Sequence, residues 1–428
     1  MSLTPRQTIG YNILMQGHNA FVTGDAGTGK SHLIRKFIDD SRDIGKNVMI
    51  VAPTGVAALN VGGATIHRTL RVPIGVVTKK LDEIRVPREL LHTDILIMDE
   101  VSMCRIDLFD FVCMNIGKAN IIRKERDKNP IQFVVVGDFF QLPPVITEND
   151  KLVLLEHYKV DIQRGYAFQS PFWKLLRFKN IILTEVVRQQ DKLFSSMLTN
   201  VRYGDTRVLY DIKRYSSRQY INNSIYLCGM NKQVNEKNEY ELDAIDSDEL
   251  LYKSSVIGDV KETDKMTSDY LYLKVGARVM TLVNSKEDLY CNGSLGTVTM
   301  LGKNFIKVLM DEGYEVIVEE YTWDITKYKV ENGKISQEVV GSFTQLPVKL
   351  AWAITIHKSQ GQTYDAVNLN PYCWDCGQLY VALSRVKSID KLYIQGGLSP
   401  NYLVTAPEVL YFYYNLEDSI KNEIGKDT

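Results

Sequence analysis

A glycine-rich segment near the N-terminus constrains the fold of this chain more than any other feature. Residues 24–31, Gly-Asp-Ala-Gly-Thr-Gly-Lys-Ser, fit the pattern G-x-x-x-x-G-K-[ST] at every fixed position. Glycines there let consecutive backbone N–H groups point inward at phosphate oxygens. A strand pattern at residues 20–22 precedes the segment, and apolar residues at helical spacing follow over residues 33–38. The sequence therefore predicts a P-loop, in which Lys30 reaches the β- and γ-phosphates of a nucleotide and Ser31 binds Mg²⁺.

An acidic pair follows the apolar run at residues 95–98. In a chain with a P-loop, we expect Asp99 to hold Mg²⁺ and Glu100 to orient and deprotonate the attacking water. The guanine-reading pattern Asn-Lys-x-Asp does not occur, since residues 231–234 fail at its last position. These observations predict hydrolysis of ATP rather than GTP.

Continuous apolar runs alternate with helical patterns along much of the chain. The runs lie at residues 48–52, 95–98 and 133–136, and the same rhythm returns at residues 348–357 and 366–369. Runs of this kind are typical of strands that are buried on both faces of a parallel sheet. The alternation predicts an α/β fold of two domains built on parallel sheets.

Two stretches break this alternation. Residues 71–92 contain two prolines and mixed charges, and we interpret them as a small insertion in the first domain. Residues 285–346 contain short β-runs separated by tight-turn dipeptides such as Asn-Gly, which predicts an all-β insertion in the second. We therefore expect the first domain at residues 1–180 and the second at residues 181–284 and 347–428.

Composition excludes several classes of protein. The chain has 428 residues with 51 Lys and Arg against 52 Asp and Glu, so its formal net charge is −1. This balance excludes nucleic-acid binding that is driven by net positive charge. Any binding to nucleic acid must come from local basic patches. No apolar run is long enough to span a bilayer and the first residues lack a secretory pattern, so we expect a cytoplasmic protein. Cys373 and Cys376 have no second close pair to complete a zinc site, so we expect structural thiols.

The residues after the third apolar run make the pattern specific. Residues 136–144, Val-Gly-Asp-Phe-Phe-Gln-Leu-Pro-Pro, together with residues 99–103 resemble the superfamily-one helicases of the PIF (petite integration frequency) family. Further blocks match that family in the same order, at residues 52–58, 63–67, 183–189, 276–280, 353–363 and 380–385. Bacteriophage and RecD-like helicases share the P-loop and the last block, but Phe-Phe-Gln-Leu-Pro-Pro and residues 103–110 favour the PIF branch.

The resemblance implies a fold and an activity. The fold is two RecA-like domains with ATP in the cleft between them, a small wedge at residues 71–92 and an SH3-like insertion at residues 285–346. The activity is that of an ATP-dependent DNA helicase that translocates 5′ to 3′ on single-stranded DNA and unwinds forked duplex or G-quadruplex DNA. Such a helicase acts as a monomer, or as a dimer on DNA. It resides at the nucleoid in a bacterial or phage-type setting, or in the nucleus of a eukaryote.

The resemblance also assigns residues to the nucleotide. Gln7 resembles the family's adenine-reading glutamine, although on its own it would be a helix-surface residue. Gln141 resembles the γ-phosphate sensor, and Arg188 and Arg385 resemble two arginines that reach the triphosphate, although either alone is more often a surface ion-pair residue. The catalytic set is Lys30, Glu100, Gln141, Arg188 and Arg385. The nucleotide-binding set is Gln7, Gly24, Ala26, Gly27, Thr28, Gly29, Lys30, Ser31 and Gly361.

The tripeptide Thr-Ile-His occurs twice, at residues 65–67 and 355–357. In the family, such paired segments line a groove for single-stranded DNA, and their side chains donate to backbone phosphates. Phe140 and Tyr364 either stack on bases or belong to the core. The DNA-binding set is Thr54, Gly55, Thr65, His67, Phe140, Thr355, His357, Lys358 and Tyr364.

Two other functions remain open from the sequence. One is a DNA-stimulated ATPase or remodeller that translocates or clamps without unwinding. The other is a nucleotide-dependent protein switch or a small-molecule kinase. Strand displacement that requires ATP separates the helicase from the first, and ATP turnover that responds to single-stranded DNA separates it from the second.

Overall fold

The computed structural model describes residues 3–424 except residues 55–56, 58–61, 74, 187–190, 223, 261, 263–264, 286, 288, 291 and 332–333. The chain divides into two compact units. The larger unit takes the chain up to residue 223 and again from residue 356, and the smaller unit takes residues 224–355. The domain boundaries expected from the sequence stay a prediction.

A parallel sheet of six strands forms the centre of the larger unit. The strands are β1 (Ala20–Gly24), β2 (Val48–Ala52), β3 (Ala64–Thr65), β4 (Ile95–Met98), β5 (Gln132–Val136) and β6 (Lys179–Leu183). They are hydrogen-bonded in the order β3-β2-β4-β5-β1-β6, and each pair is parallel. Strands β1, β4 and β5 are buried along their whole length, which explains why they read as apolar runs. The predicted α/β fold with a parallel sheet is confirmed.

Helices precede, connect and follow these strands. They are α1 (Pro5–Met15), α2 (Lys30–Asp43), α3 (Ile66–Leu70), α4 (Arg88–Leu91), α5 (Ile106–Lys124), α6 (Glu148–Tyr158), α7 (Pro171–Leu175), α8 (Lys192–Arg202) and α9 (Val208–Tyr215). Helix α2 follows the glycine-rich segment and buries Leu33, Ile34 and Phe37 in the core of the sheet. The helical spacing in the sequence therefore predicted the buried face of α2.

Residues 71–92, predicted as an insertion, are mostly irregular where the structure describes them and include the short helix α4. Helix α5 holds this stretch through polar side chains. Lys118 donates from Nζ to the carbonyl of Ile84 at 2.7 Å, and Asp107 accepts from the N–H of Val77 at 2.7 Å. The stretch is thus tied to the larger unit, and its role as a wedge stays a prediction.

The smaller unit consists mainly of strands, with helix α10 (Asn231–Asp243) among them. The strands are β7 (Ile225–Cys228), β8 (Glu249–Lys253), β9 (Ser255–Gly258), β10 (Tyr270–Lys274), β11 (Arg278–Thr281), β12 (Leu295–Leu301), β13 (Phe305–Met310), β14 (Glu315–Glu319), β15 (Tyr321–Glu331), β16 (Lys334–Gln345), β17 (Val348–Leu350) and β18 (Ala353–Thr355). An antiparallel sheet has the order β14-β13-β12-β11-β17. Strand β16 pairs with β15 and β9, β8 pairs with β10, and β7 runs parallel to β18. Where the structure describes residues 285–346, each regular element is a strand.

Alternation of side chains explains the five-stranded antiparallel sheet. Strand β14 alternates exposed and buried positions, and its Val316 and Val318 pack in one core with Ile306 and Val308 of β13. Gly313, in the turn between these strands, has a φ of +93°, a conformation that glycine adopts without steric cost. Short β-runs and turn glycines were the signals of this region in the sequence.

The second segment of the larger unit adds β19 (Val367–Leu369), α11 (Gln378–Leu383), β20 (Leu392–Ile394) and α12 (Pro407–Ile424). Strands β19 and β20 pair in parallel, and α11 is buried along its whole length. Helix α12 returns to the first segment, where the ring of Phe412 lies 4.4 Å from that of Phe168 and 5.4 Å from that of Phe139, between centroids. Like every other described helix, α12 is too short or too polar to cross a bilayer.

Replacing Phe412 with alanine tests whether α12 belongs to the core of the larger unit. The change removes ring contacts with Phe168, Phe139 and Trp173, so we expect the free energy of unfolding to fall by about 3 kcal/mol. Tyr414, exposed on the same helix, provides the control, and Tyr414→Ala should cost less than about 0.5 kcal/mol. Urea denaturation followed by circular dichroism measures both variants, and equal effects would contradict the packing.

Candidate functional site

Strand β1 leads directly into the glycine-rich loop, and helix α2 begins at Lys30. The ammonium group of Lys30 donates to the carbonyl of Gly24 at 2.8 Å and to that of Asp25 at 3.0 Å. The hydroxyl of Thr28 donates to the same Asp25 carbonyl at 2.8 Å. Burial lowers the pKa of Lys30, and neighbouring carboxylates oppose that effect. The loop therefore curls around its lysine, which is the local structure that a P-loop pattern predicts.

Gln7 packs against this loop from helix α1. Its Oε1 accepts from the N–H of Thr4 at 3.0 Å in a capping box, and its Nε2 donates to the carbonyl of Thr28 at 3.1 Å. Gly29 has a φ of +78°, and a Cβ at that position would lie 2.4 Å from Nε2 of Gln7. Gln7 is buried, so it is not the surface residue that the sequence left as an alternative. Its contact with adenine stays a prediction.

The acidic pair stands at the end of β4. Asp99 accepts from the N–H of Glu100 at 2.9 Å, and Glu100 itself has a left-handed backbone with a φ of +51°. Burial and the charge of Glu100 raise the pKa of Asp99 to about 7. Burial also raises the pKa of Glu100, while the charge of Lys30 lowers it. A nearby cation would lower the pKa of both carboxylates, because positive charge stabilises their ionised form.

Oxygen donors at this edge of the sheet fit Mg²⁺. Asp99 offers a carboxylate, and Ser31 offers an exposed hydroxyl on the first turn of α2. Among the described residues, no three His, Cys, Asp or Glu side chains are grouped as a metal site. Mg²⁺ in such sites commonly takes one or two carboxylates, with substrate phosphates and waters as the remaining ligands. Asp99 and Ser31 thus offer ligands of the kind that Mg²⁺ takes, and their contact with Mg²⁺ stays a prediction.

The loop after β5 touches the beginning of helix α11. Gln141 is buried in this loop. Gly377 precedes α11 with a φ of +72°, and a Cβ there would lie 2.4 Å from the carbonyl oxygen of Gln141. Only glycine allows so close an approach. The predicted γ-phosphate sensor is thus in direct backbone contact with the helix that carries the last matching block.

A tyrosine of α11 reaches the phosphate loop. The hydroxyl of Tyr380 accepts from the N–H of Ala26 at 2.8 Å and lies 3.4 Å from Asp138. On the other side of Asp138, the hydroxyl of Tyr413 accepts from the N–H of Phe139 at 3.2 Å. Burial is the main cause that raises the pKa of both tyrosines, so their hydroxyls stay protonated. Helices α11 and α12 therefore both bond to the residues around the nucleotide site.

A buried arginine joins the phosphate loop to the loop after β5. Arg202, at the end of α8, pairs with Asp138 at 2.9 Å and with Asp25 at 3.2 Å. Its guanidinium lies 4.3 Å from the ring centroid of Phe140 and 4.8 Å from that of Tyr413. Charge pairing and ring contact together stabilise a buried guanidinium. This places Phe140 in the core, which was one of the two alternatives for its ring.

Arg385 is buried and bonds within the larger unit. Its Nε donates to the carbonyl of Val381 at 2.8 Å, and one terminal nitrogen donates to those of Ser359 and Gln362 at 3.2 and 3.0 Å. Gly361, predicted to contact the nucleotide, is exposed in the loop that these bonds hold, with a φ of +77°. Arg385 therefore positions this loop, and its contact with phosphate stays a prediction. Arg188, like Gly55 of the DNA-binding set, lies outside the described residues.

The two Thr-Ile-His segments have the same local structure. Thr65 ends β3 and Thr355 ends β18, and in both segments a helical turn begins at the next residue. The two isoleucines are buried, while His67 is exposed and His357 is half-buried. Thr65 belongs to the larger unit and Thr355 to the smaller unit. The repeated sequence thus encodes a repeated strand-to-helix turn, and its contact with DNA stays a prediction.

The remaining residues of the DNA-binding set lie in the larger unit. Thr54 is partly exposed, and its hydroxyl accepts from the N–H of Ala57 at 3.3 Å. Lys358 is exposed. Tyr364 is partly buried and its hydroxyl bonds to the side chain of Gln362, which leaves its stacking role a prediction.

Asp138, Arg202 and Tyr380 were not among the predicted site residues. Asp138 and Tyr380 stand inside blocks that resemble the family, and that signal could have identified them. Arg202 stands in no such block. It joins the site only because α8 bonds to the loops after β1 and β5, so no local pattern in the sequence marks it.

Comparison with known proteins places these features in one family. A sequence profile of the PIF1-like helicase family matches residues 6–210. The ATP-dependent DNA helicase Pif1 of Campylobacter jejuni is 30% identical over 421 residues, which cover 90% of this chain and 90% of that protein. The crystal structure of the Pif1 helicase from Bacteroides in complex with ADP-AlF3 and ssDNA is 32% identical, with a TM-score of 0.82 and coverage of 98% of each chain. The structure of two coordinating Pif1 helicases at forked dsDNA is 32% identical, with a TM-score of 0.81 over 99% of this chain and 98% of that chain.

A phosphate-binding loop and an acidic pair at the carboxyl edge of a parallel sheet define a P-loop nucleoside triphosphatase. Similarity to Pif1 helicases extends over nearly the whole length of the chain. Among the P-loop nucleoside triphosphatases, this similarity selects the helicases. The chain belongs to the PIF1-like helicase family, a family of ATP-dependent, ATP-hydrolysing enzymes.

Replacing Arg202 with methionine tests the buried ion pair. The change leaves Asp138 buried without its counter-ion, so we expect the free energy of unfolding to fall by about 3–5 kcal/mol. A second change, Asp138→Asn, should recover part of this loss, because it removes the unpaired charge. Arg207, which pairs with Asp205 on the surface, is the control, and Arg207→Met should leave the midpoint of urea denaturation nearly unchanged. Urea denaturation measures these variants. Equal effects of Arg202→Met and Arg207→Met would contradict a stabilising role for the buried ion pair.

Proposed function

We propose that this chain is an ATP-driven motor that translocates 5′ to 3′ along single-stranded DNA and unwinds duplex DNA. Contacts between blocks that are distant in sequence carry the proposal. Tyr380 bonds to Ala26 of the phosphate loop at 2.8 Å, and Gln360 bonds to Glu100 at 3.0 Å. Gln360 lies three residues after the second Thr-Ile-His segment, so a change at the γ-phosphate would be passed to residues that we assign to DNA. A motor requires a connection of this kind.

The chemistry at the triphosphate follows from the residues around it. Lys30 neutralises charge on the β- and γ-phosphates, and Glu100 accepts a proton from the attacking water. Gln141, Arg188 and Arg385 complete the proposed catalytic set. Mg²⁺, when bound, supplies further neutralisation of phosphate charge. In this account Ser31 and Asp99 hold it.

Contacts with DNA in this proposal are made mainly to its backbone. Thr54, Thr65, His67, Thr355 and Lys358 are short polar or cationic side chains of the type that bonds phosphate oxygens without reading sequence. Local contacts of this type suit a chain with a net charge of −1. The relatives solved with ssDNA and with forked dsDNA support this choice of partner. We extend the proposal to G-quadruplex DNA and to dimers that form on DNA.

Unwinding of matched duplexes tests the proposal. We expect ATP and Mg²⁺ to drive displacement from a duplex with a 5′ single-stranded overhang, and little displacement from one with a 3′ overhang. Lys30→Ala should lose both ATP turnover and displacement yet keep its affinity for single-stranded DNA, because the change is confined to the phosphate loop. A fluorescence strand-displacement assay and a DNA-binding titration measure these effects.

Three outcomes would contradict the proposal in different ways. Preference for the 3′ overhang would overturn the direction. DNA-stimulated ATP turnover without displacement on either substrate would favour the clamp or remodeller. Displacement that survives Lys30→Ala would remove the phosphate loop from the mechanism.

A further inference from the structure

Gln360 lies against the proposed general base. It follows the short helical turn at Ile356–Ser359, and only 6% of its surface is exposed. Its Nε2 donates to Oε2 of Glu100 at 3.0 Å. This bond sets the orientation of the amide, because the opposite orientation would place a carbonyl oxygen against a carboxylate.

The other end of the same amide is buried without a partner. Within the described part of the chain, Oε1 of Gln360 meets no hydrogen-bond donor. Buried polar atoms are normally paired, and an exception calls for a physical reason. Gln345, a buried glutamine of the smaller unit, is paired at both ends: its Nε2 donates to the carbonyl of Tyr252 at 3.1 Å and its Oε1 accepts from the N–H of Leu346 at 2.9 Å. Oε1 of Gln360 is therefore an acceptor placed beside a general base.

The loop that carries Gln360 is held from both sides. Arg385 donates to the carbonyl of Ser359 at 3.2 Å and to that of Gln362 at 3.0 Å. The hydroxyl of Ser359 donates to the carbonyl of Ile356 at 2.8 Å. A side chain must be held in place by its surroundings to position a reactant, and these bonds meet that condition.

We infer that Gln360 is a catalytic residue that positions the attacking water together with Glu100, with its Oε1 accepting a hydrogen bond from that water. The inference rests on the proposed ATP hydrolysis and deepens it. One proton of the water passes to the carboxylate of Glu100, while the other stays on the oxygen and bonds to Gln360. The water oxygen forms a bond to the γ-phosphorus as the bond between that phosphorus and the bridging oxygen breaks. ADP leaves with the electron pair of the broken bond.

The amide suits this task because it is neutral. Oε1 accepts a hydrogen bond without competing for the proton that Glu100 takes. Nε2 holds the carboxylate in place at the same time. Glutamine amides orient attacking waters in other enzymes that cleave nucleoside triphosphates.

Gln360→Met tests the inference, since methionine has a similar volume and offers neither end of the amide. We expect kcat for DNA-stimulated ATP hydrolysis to fall at least tenfold, with KM for ATP unchanged within twofold. Affinity for ADP should stay the same, while affinity for ADP with aluminium fluoride, which mimics the transition state, should fall at least tenfold. Quenched ATPase assays measure kcat and KM, and competition with a fluorescent nucleotide measures the two affinities. Gln360→Glu, which keeps the shape but repels Glu100, should lose kcat as well.

Gln132→Met provides the control. Gln132 is a buried glutamine of the same unit that donates to the carbonyls of Leu14 and His18, each at 2.8 Å. Its replacement should lower the melting temperature and leave kcat and the two nucleotide affinities in place. A purely structural Gln360 would behave in the same way.

The outcomes separate this inference from the proposed function. An active wild-type chain with kcat of Gln360→Met within twofold of it would overturn the inference alone. Equal loss of affinity for ADP and for ADP with aluminium fluoride would also overturn it, because that pattern marks ordinary packing. A folded wild-type chain that does not hydrolyse ATP would overturn both.

Discussion

The carboxyl edge of the six-stranded parallel sheet is the constraint on which the rest of the larger unit depends. Parallel strands all end at one edge, so the loop after β1, the acidic pair after β4 and Asp138 after β5 converge there. The convergence brings together carboxylates that repel one another and would repel phosphate. Arg202 offsets two of them, Asp25 and Asp138, with one buried guanidinium. A phosphate-binding site can therefore form beside these carboxylates, because part of their negative charge is neutralised.

Features with a local signal were predictable from the sequence. The P-loop, the acidic pair and the parallel strands each depend on residues within a few positions of one another, and the structure has these elements where the patterns predicted them. The short strands and turn glycines of residues 285–346 were predictable for the same reason. Such features follow from backbone geometry and side-chain periodicity alone.

Features that depend on tertiary packing were not predictable. Tyr380 and Ala26 are 354 positions apart, and no pattern in the sequence near either residue predicts their hydrogen bond. Phe140 could have faced bases or the core, and the choice is made by α12, whose Tyr413 stacks on it at 4.7 Å between centroids. The pairing of Gln360 with Glu100 has the same origin. The family blocks indicated which segments matter, but the fold decides which atoms meet.

We propose that a single-stranded polynucleotide and the triphosphate act on one connected set of residues. The rate of ATP hydrolysis, measured at saturating ATP with and without single-stranded DNA, tests this coupling. We expect a turnover that is slow for the protein alone and that rises at least tenfold with DNA. An equal turnover in both conditions would contradict it, because the nucleotide site would then be independent of any strand the protein holds.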